Sequence, residues 1–297
     1  MMHTTMKKTL LLMAACVVSI AMFAADLTGK RIYINPGHGS WGPNDRPNAT
    51  IPYPNLPTTG MPDTLGFYES NTNLWKCLEL RDKLEAAGAY VIMSRTQSGP
   101  WPYEMVNGDY PDYTYDAYKA LPDYEKYNRG LLDIANEAEA NNMDYFISVH
   151  SNAATEGNTV NYLAYFYRGD NAGNHVVPGS IEICKASWYH AFECRSMDGL
   201  EPTNYDTRDP ETSKHILADI DFYHSSYDAT LPSSGKTYTG YLGVLHHGVP
   251  GFLVEGFFHT YQPARHRALN RDYCKQEGIR YYRGVVDYFK ADTEKKG

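Results

Sequence analysis

Three stretches of the chain each close a strand-like run on a residue able to bind a metal: Ile34-Asn35-Pro36-Gly37-His38-Gly39, Ile147-Ser148-Val149-His150-Ser151-Asn152 and Phe252-Leu253-Val254-Glu255-Gly256-Phe257-Phe258. A fourth, Phe67 to Asn71 at the start of a helical pattern, adds Glu69. Two imidazoles and one carboxylate can hold a catalytic zinc ion and leave its fourth position to water. Glu255 then stays free to move that water's proton, so the residue types point to a zinc hydrolase.

Taken singly, these residues have ordinary readings. A histidine at a strand end is commonly a hydrogen-bonded structural residue, and a glutamate in a first helical turn is stabilised by the helix dipole. The setting of His38 alters its reading, because Gly37 and Gly39 flank it without side chains and Pro36 stiffens the approach, as a tight turn projecting the imidazole requires. Glu255 ends an apolar run and is expected to be partly buried, where an acid is rare unless paired or functional. Other histidines compete weakly. His246 and His247 are neighbours whose side chains alternate in an extended segment, which suits a structural or substrate-facing role. His215 and His224 have no spacing that by itself marks a metal site.

Short apolar runs predict strands at Arg31 to Asn35, Ala89 to Ser94, Tyr145 to His150 and Gly251 to Glu255. Between them, Asn73 to Ala87 carries a helical stripe of Leu74, Cys77, Leu78 and Leu84 and stops at Gly88, a helix-ending residue. Tyr127 to Asn141 repeats the pattern with Leu131, Ile134, Ala135 and Ala138. Strands alternating with helices imply right-handed crossovers, hence an α/β fold: an open, largely parallel twisted sheet flanked by helices. Ligands of such sheets bind beyond the carboxyl ends of the strands, where His38, His150 and Glu255 would all lie.

Residues 1–25 have two lysines, an apolar run from Leu10 to Phe23 and then Ala24-Ala25, the layout of a secretory signal peptide. Cleavage near Ala25 would export the rest; Met13-Ala14-Ala15-Cys16 offers a lipid-anchored alternative at Cys16. The localisation expected is therefore the periplasm or the extracellular space. Beyond this segment no apolar run reaches the roughly 18 residues a membrane span needs. Removing residues 1–25, which hold two lysines and no acids, takes the formal charge from −8 to −10. Such a surface excludes nucleic acid as a natural partner.

The remaining 26–297 read as one catalytic domain with insertions at about 97–125, rich in Tyr, Pro and Asp, and at about 158–247, which includes a strand candidate, Asn161 to Tyr167, and a helix candidate, Ile181 to Met197. The tyrosines of the first insertion suit either stacking on sugar or peptide or packing on themselves. No cysteine pair has zinc-site spacing, and Cys184 and Cys194 can join only if they do not share one helix.

The ordered set Asn35-Pro36-Gly37-His38-Gly39, Glu69, Asn73-Leu74, Leu84 to Gly88, Ser94-Arg95-Thr96, Arg129 with Ala135-Asn136, Ser148 to Asn152, and Val249-Pro250 leading to Leu253-Val254-Glu255-Gly256-Phe257 resembles the zinc-dependent N-acetylmuramoyl-L-alanine amidases that trim bacterial peptidoglycan. The resemblance runs over almost the whole chain after the leader. It implies that His38, Glu69 and His150 are zinc ligands, that Glu255 is the catalytic carboxylate, and that the substrate is peptidoglycan, cut at the amide between N-acetylmuramic acid and L-alanine. Three departures stand out: Asn35 replaces the usual aspartate, the gap from His38 to Glu69 is long, and the asparagine usual after the last motif gives way to His259-Thr260. Glu79, in the body of the helix, is the rival to Glu69. A wall-binding module without turnover and a zinc endopeptidase are the alternatives. Oligomeric state, substrate-binding residues and any regulatory activator are left open.

Overall fold

The computed structural model describes residues 25–38, 69–96, 131–154, 160–170, 172–196, 206–220, 228–230, 237–239 and 242–296. The leader, the Pro-rich run after His38, the 97–125 insertion and His224 lie outside them.

Six strands form one sheet in the order β2-β1-β3-β8-β4-β5. Four of them, β2 (Tyr90–Met93), β1 (Arg31–Pro36), β3 (Tyr145–Asn152) and β8 (Gly251–Phe258), run parallel. Against β8 lies β4 (Ala164–Tyr167), antiparallel, followed at the edge by β5 (Ile216–Ala218), parallel to β4. The stretch 158–247 thus supplies two strands of the sheet as well as α3, below. A separate antiparallel pair joins β6 (Asp228–Thr230) and β7 (Thr237–Thr239).

The central parallel strands are largely apolar because both faces of the sheet are covered there. Alternation sorts their side chains. Ile32, Ile34, Ile147, Val149, Phe252 and Val254 pack with Leu80 and Leu84 of α1 (Glu69–Ala86), Ile183 and Trp188 of α3 (Ser180–Ser196), and Tyr281, Val285 and Phe289 of α5 (Arg271–Lys296). On the opposite face Tyr33, Phe146 and Leu253 meet Ile134 and Ala138 of α2 (Leu131–Ala140) and the short 3-10 turn Gly243–Leu245. The small helix α4 (Gln262–Ala268) links β8 to α5.

Every predicted strand and helix that falls on described residues is present, with shifted ends. α1 begins four residues before Asn73, and β8 continues three residues beyond Glu255. The α1 stop is as expected: Gly88 has φ of 90°, its N–H donates to the Glu85 carbonyl, and the Ala89 N–H reaches back to Leu84. A Cβ on Gly88 would lie 2.7 Å from Thr28 Oγ1. Gly88→Ala should therefore destabilise the fold by about 1–2 kcal/mol, read as a lower urea midpoint at unchanged slope. Cys184 and Cys194 share the continuous helix α3. Ten helical residues separate them by about 15 Å, beyond disulfide reach, and Cys77, Cys184 and Cys274 are buried free thiols.

His247 lies at the amino-terminal approach to β8, against the Phe146 ring at 4.4 Å, with Nδ1 accepting from the Val249 N–H. This is a structural role at the end of the sheet opposite His150 and Glu255. Burial pushes His247 down to about 4, and burial with Arg168 does the same to His246. The unfolded chain, titrating near 6.5, binds protons between pH 6.5 and 4 that the folded protein refuses, so stability falls as pH drops through that window. Asp219, pushed up to about 6 by burial, acts in the opposite sense. His247→Asn retains an acceptor for Val249 but cannot titrate. Its stability deficit against wild type should narrow steadily from pH 6.5 to 4 in parallel urea titrations; a constant deficit contradicts this account.

Candidate functional site

The four candidate side chains His38, Glu69, His150 and Glu255 meet at the carboxyl end of the parallel strands. His150 and Glu255 are register partners on adjacent strands, which accounts for their meeting across a long sequence separation. β1 ends beside them: the Gly37 N–H donates to the Val149 carbonyl, and the chain then turns with His38 at φ of 56°. That left-handed conformation swings the imidazole into the crevice. Gly37 is required by contact as well, since a Cβ there would lie 2.3 Å from the His150 ring. Glu69 arrives from a different layer, as the first residue of α1.

The Glu69 carboxylate is the centre of the cluster. Its Oε2 lies 3.2 Å from His38 Nε2, and its Oε1 lies 3.2 Å from His150 Nδ1. Oε1 also accepts from the Ser151 N–H at 2.9 Å and from Asn73 Nδ2 at 3.2 Å. Burial alone would raise its pKa, but His38 and His150 outweigh burial and hold Glu69 well below the usual carboxylate range. Burial keeps His150 below its ordinary value, which favours the neutral ring a metal needs.

One ligand atom from each of His38, Glu69 and His150 falls within 4.8 Å of the others, the one such group among the described residues. Two zinc ligands at bond lengths near 2.0–2.1 Å in tetrahedral geometry stand about 3.3 Å apart. The three groups lie somewhat wider than that edge, within 4.8 Å of one another, and the donor set of two imidazoles and a carboxylate fits zinc in its chemistry. Glu79, ten residues further along α1 and paired with Lys83 at 3.6 Å, is not in this group. His215 is committed elsewhere, bonded to Asp206 at 2.9 Å and stacked on Tyr162.

Glu255 is buried, and its Oε2 has no hydrogen-bond partner among the described residues. Burial first, and the Glu69 charge second, hold its carboxyl well above the usual range, against the pull of His38 and Lys76. An orphaned carboxyl oxygen beside a cluster of metal-binding groups is suited to exchanging a proton with water.

Two of the three departures from the usual motifs, Asn35 and His259, fall on described residues. Asn35 uses both ends of its amide, donating to Ser148 Oγ at 2.8 Å and accepting from Ser94 Oγ at 2.7 Å, which ties β2, β1 and β3 together below the site. His259 is buried against the cluster, with Nδ1 3.0 Å from Ser151 Oγ and 4.0 Å from Glu69 Oε2. Ser151, Asn73 and His259 were not assigned roles by sequence reasoning; the Ser-Asn pair following His150 is the signal that marks the first of them.

Residues 32–287 match the N-acetylmuramoyl-L-alanine amidase family. No curated protein matches the chain at a significant level. Among solved structures, an N-acetylmuramoyl-L-alanine amidase from Clostridium difficile 630 is similar at 19% identity and a TM-score of 0.52, with 88% of this chain and 97% of that one covered. The CwlD amidase from Clostridioides difficile, solved in complex with the GerS lipoprotein, gives 17%, 0.52, 89% and 100%. Ami1 from Mycobacterium smegmatis gives 14%, 0.54, 90% and 99%. At these identities the likeness is one of fold.

Proposed function

The chain belongs to the N-acetylmuramoyl-L-alanine amidase family, and from that premise we propose that it is an exported zinc hydrolase that cuts the amide between N-acetylmuramic acid and the L-alanine of peptidoglycan stem peptides. The observation that carries the reading is the His38–Glu69–His150 cluster with the unpartnered carboxyl of Glu255 beside it. Export is supported by the leader pattern of residues 1–25 and by the location of peptidoglycan outside the cytoplasm.

In this reading His38, Glu69 and His150 hold the metal. Zinc bound there lowers the pKa of a water toward neutrality and polarises the scissile carbonyl. Glu255, which the metal's positive charge would keep ionised against its burial, would take up the water's proton at its unpartnered oxygen and return it to the departing amine nitrogen, because an amide cannot expel its nitrogen as an anion. The buried contacts of Glu69 with Ser151 and Asn73 keep its carboxylate aimed at the two imidazoles, as partners of metal ligands generally do.

Purified residues 26–297 should contain close to one zinc per chain and clear suspended peptidoglycan. A chelator should abolish clearing, and added zinc should restore it. Clearing that survives complete removal of metal would overturn the proposal.

A further inference from the structure

Arg95 stands just past β2, outside the cluster, yet its guanidinium reaches the backbone of both segments that deliver its outer ligands. Nε lies 3.1 Å from the Pro36 carbonyl and 2.7 Å from the His38 carbonyl, while Nη2 donates to the carbonyls of Gly37 at 3.0 Å and Ser70 at 2.8 Å. Three of these oxygens belong to consecutive residues. In a regular strand, successive carbonyls point to opposite sides and one cation could not collect them. They converge because the chain leaves β1 at Gly37 and enters the left-handed region at His38. On the other side, the Gly37 α-carbon is pressed against the His150 ring. The turn carrying His38 is thus held between the guanidinium and a second imidazole of the cluster.

The fourth oxygen, that of Ser70, belongs to the residue after Glu69 in the first turn of α1. His38 and Glu69 approach from two different elements, the end of β1 and the start of α1, which are also linked by Asn73 Nδ2 at 3.5 Å from the Gly37 carbonyl. Resting on the zinc-site reading, we infer that Arg95 is a positioning residue that fixes the separation of His38 and Glu69, by bracing the His38 turn and the start of α1 with one rigid planar fork. Arginine suits this task because its donors are preorganised in a plane, whereas a lysine ammonium is a compact point charge on a flexible stem. Arg95 acts through the backbone and touches neither water nor substrate in this role.

The test uses residues 26–297 as wild type, Arg95→Gln and Arg95→Lys. Zinc affinity is read by competition with a chelating dye, the melting temperature of each apoprotein by circular dichroism, and ligand geometry by the visible spectrum of the cobalt-substituted protein. Loss of a partner that orients a ligand typically weakens metal binding about 10–100-fold. Arg95→Gln should fall in that range with an altered cobalt spectrum, and Arg95→Lys should fall with it, while both apoproteins melt within a few degrees of wild type. Zinc affinity within twofold of wild type in both variants overturns the inference. So does full recovery in Arg95→Lys, which would assign the effect to charge alone, or a collapse of both apoproteins, which would make Arg95 part of the fold. A wild-type protein that binds no zinc defeats the site reading itself and removes the basis of the inference.

Discussion

Glu255→Gln is expected to bind zinc as the wild type does and to lose roughly 10²–10⁴-fold in turnover, the usual contribution of a positioned acid-base group. The substitution preserves shape and hydrogen-bonding atoms in a buried position on β8, so the strand and its pairing with His150 should survive. What disappears is the ability of Oε2 to carry a proton. Stability adds a second readout. A carboxyl held above its ordinary pKa by burial and by Glu69 gives its full stability below its unfolded value of about 4.3 and loses it as pH rises from there through its folded value. The neutral amide has no such penalty. Apo Glu255→Gln should therefore melt at the wild-type temperature or above it at pH 7–8, a gain in stability accompanying the loss of function. Turnover within threefold of wild type would remove Glu255 from the mechanism.

Glu69→Gln should fail in the opposite way. Glu69 is the one anionic member of the cluster, and each of its oxygens faces a histidine nitrogen. An amide keeps the volume, but it removes the charge and can place an N–H₂ against a ring nitrogen that must offer a lone pair. The loss of zinc affinity should exceed the roughly 10–100-fold typical of outer partners, because a ligand itself is altered. Excess zinc should then recover part of the activity, whereas no zinc concentration should rescue Glu255→Gln. Measuring zinc content and hydrolysis side by side separates holding the metal from moving the proton. Wild-type zinc affinity in Glu69→Gln would show that the cluster is not the metal site.

Much of the fold is legible in the sequence because parallel strands covered on both faces carry short, mainly apolar runs, here ending near the candidate site residues. Arg31–Pro36 and Tyr145–Asn152 are such runs, and His38 and His150 lie at their ends. The sequence is less informative where polar residues are buried. The first turn of α1 holds Glu69, Asn71, Thr72 and Asn73, all buried; a polar run of this kind reads as surface, so the sequence pattern starts the helix only at Asn73. The inner stripe of α5 is interrupted in the same way. Cys274, Glu277, Tyr281 and Val285 follow helical spacing, but Glu277 is buried against Lys76 of α1 at 3.1 Å, and the stripe loses its apolar signature. Strand direction leaves no mark either: nothing in Ala164–Tyr167 announces that β4 will pair antiparallel with β8.

The residue types of the candidate site stand out in the sequence, and the groups that support them do not. Imidazoles and carboxylates are recognisable wherever they stand, but Arg95 and Ser151 act by bonding to or through the backbone across 25 to 82 residues of sequence. Such partnerships depend on where the chain turns. His259 illustrates this: from sequence it is a departure after the last motif, whereas the fold buries it beside Ser151 and Glu69.

The most direct measurement is mass spectrometry of what residues 26–297 release from purified peptidoglycan, with Glu255→Gln as the control. The account predicts free stem peptides beginning at L-alanine, uncut glycan strands and no release by the variant. Fragments in which peptide remains attached to muramic acid would contradict it and assign the metal site to an endopeptidase; zinc bound without any release would reduce the protein to a wall-binding module.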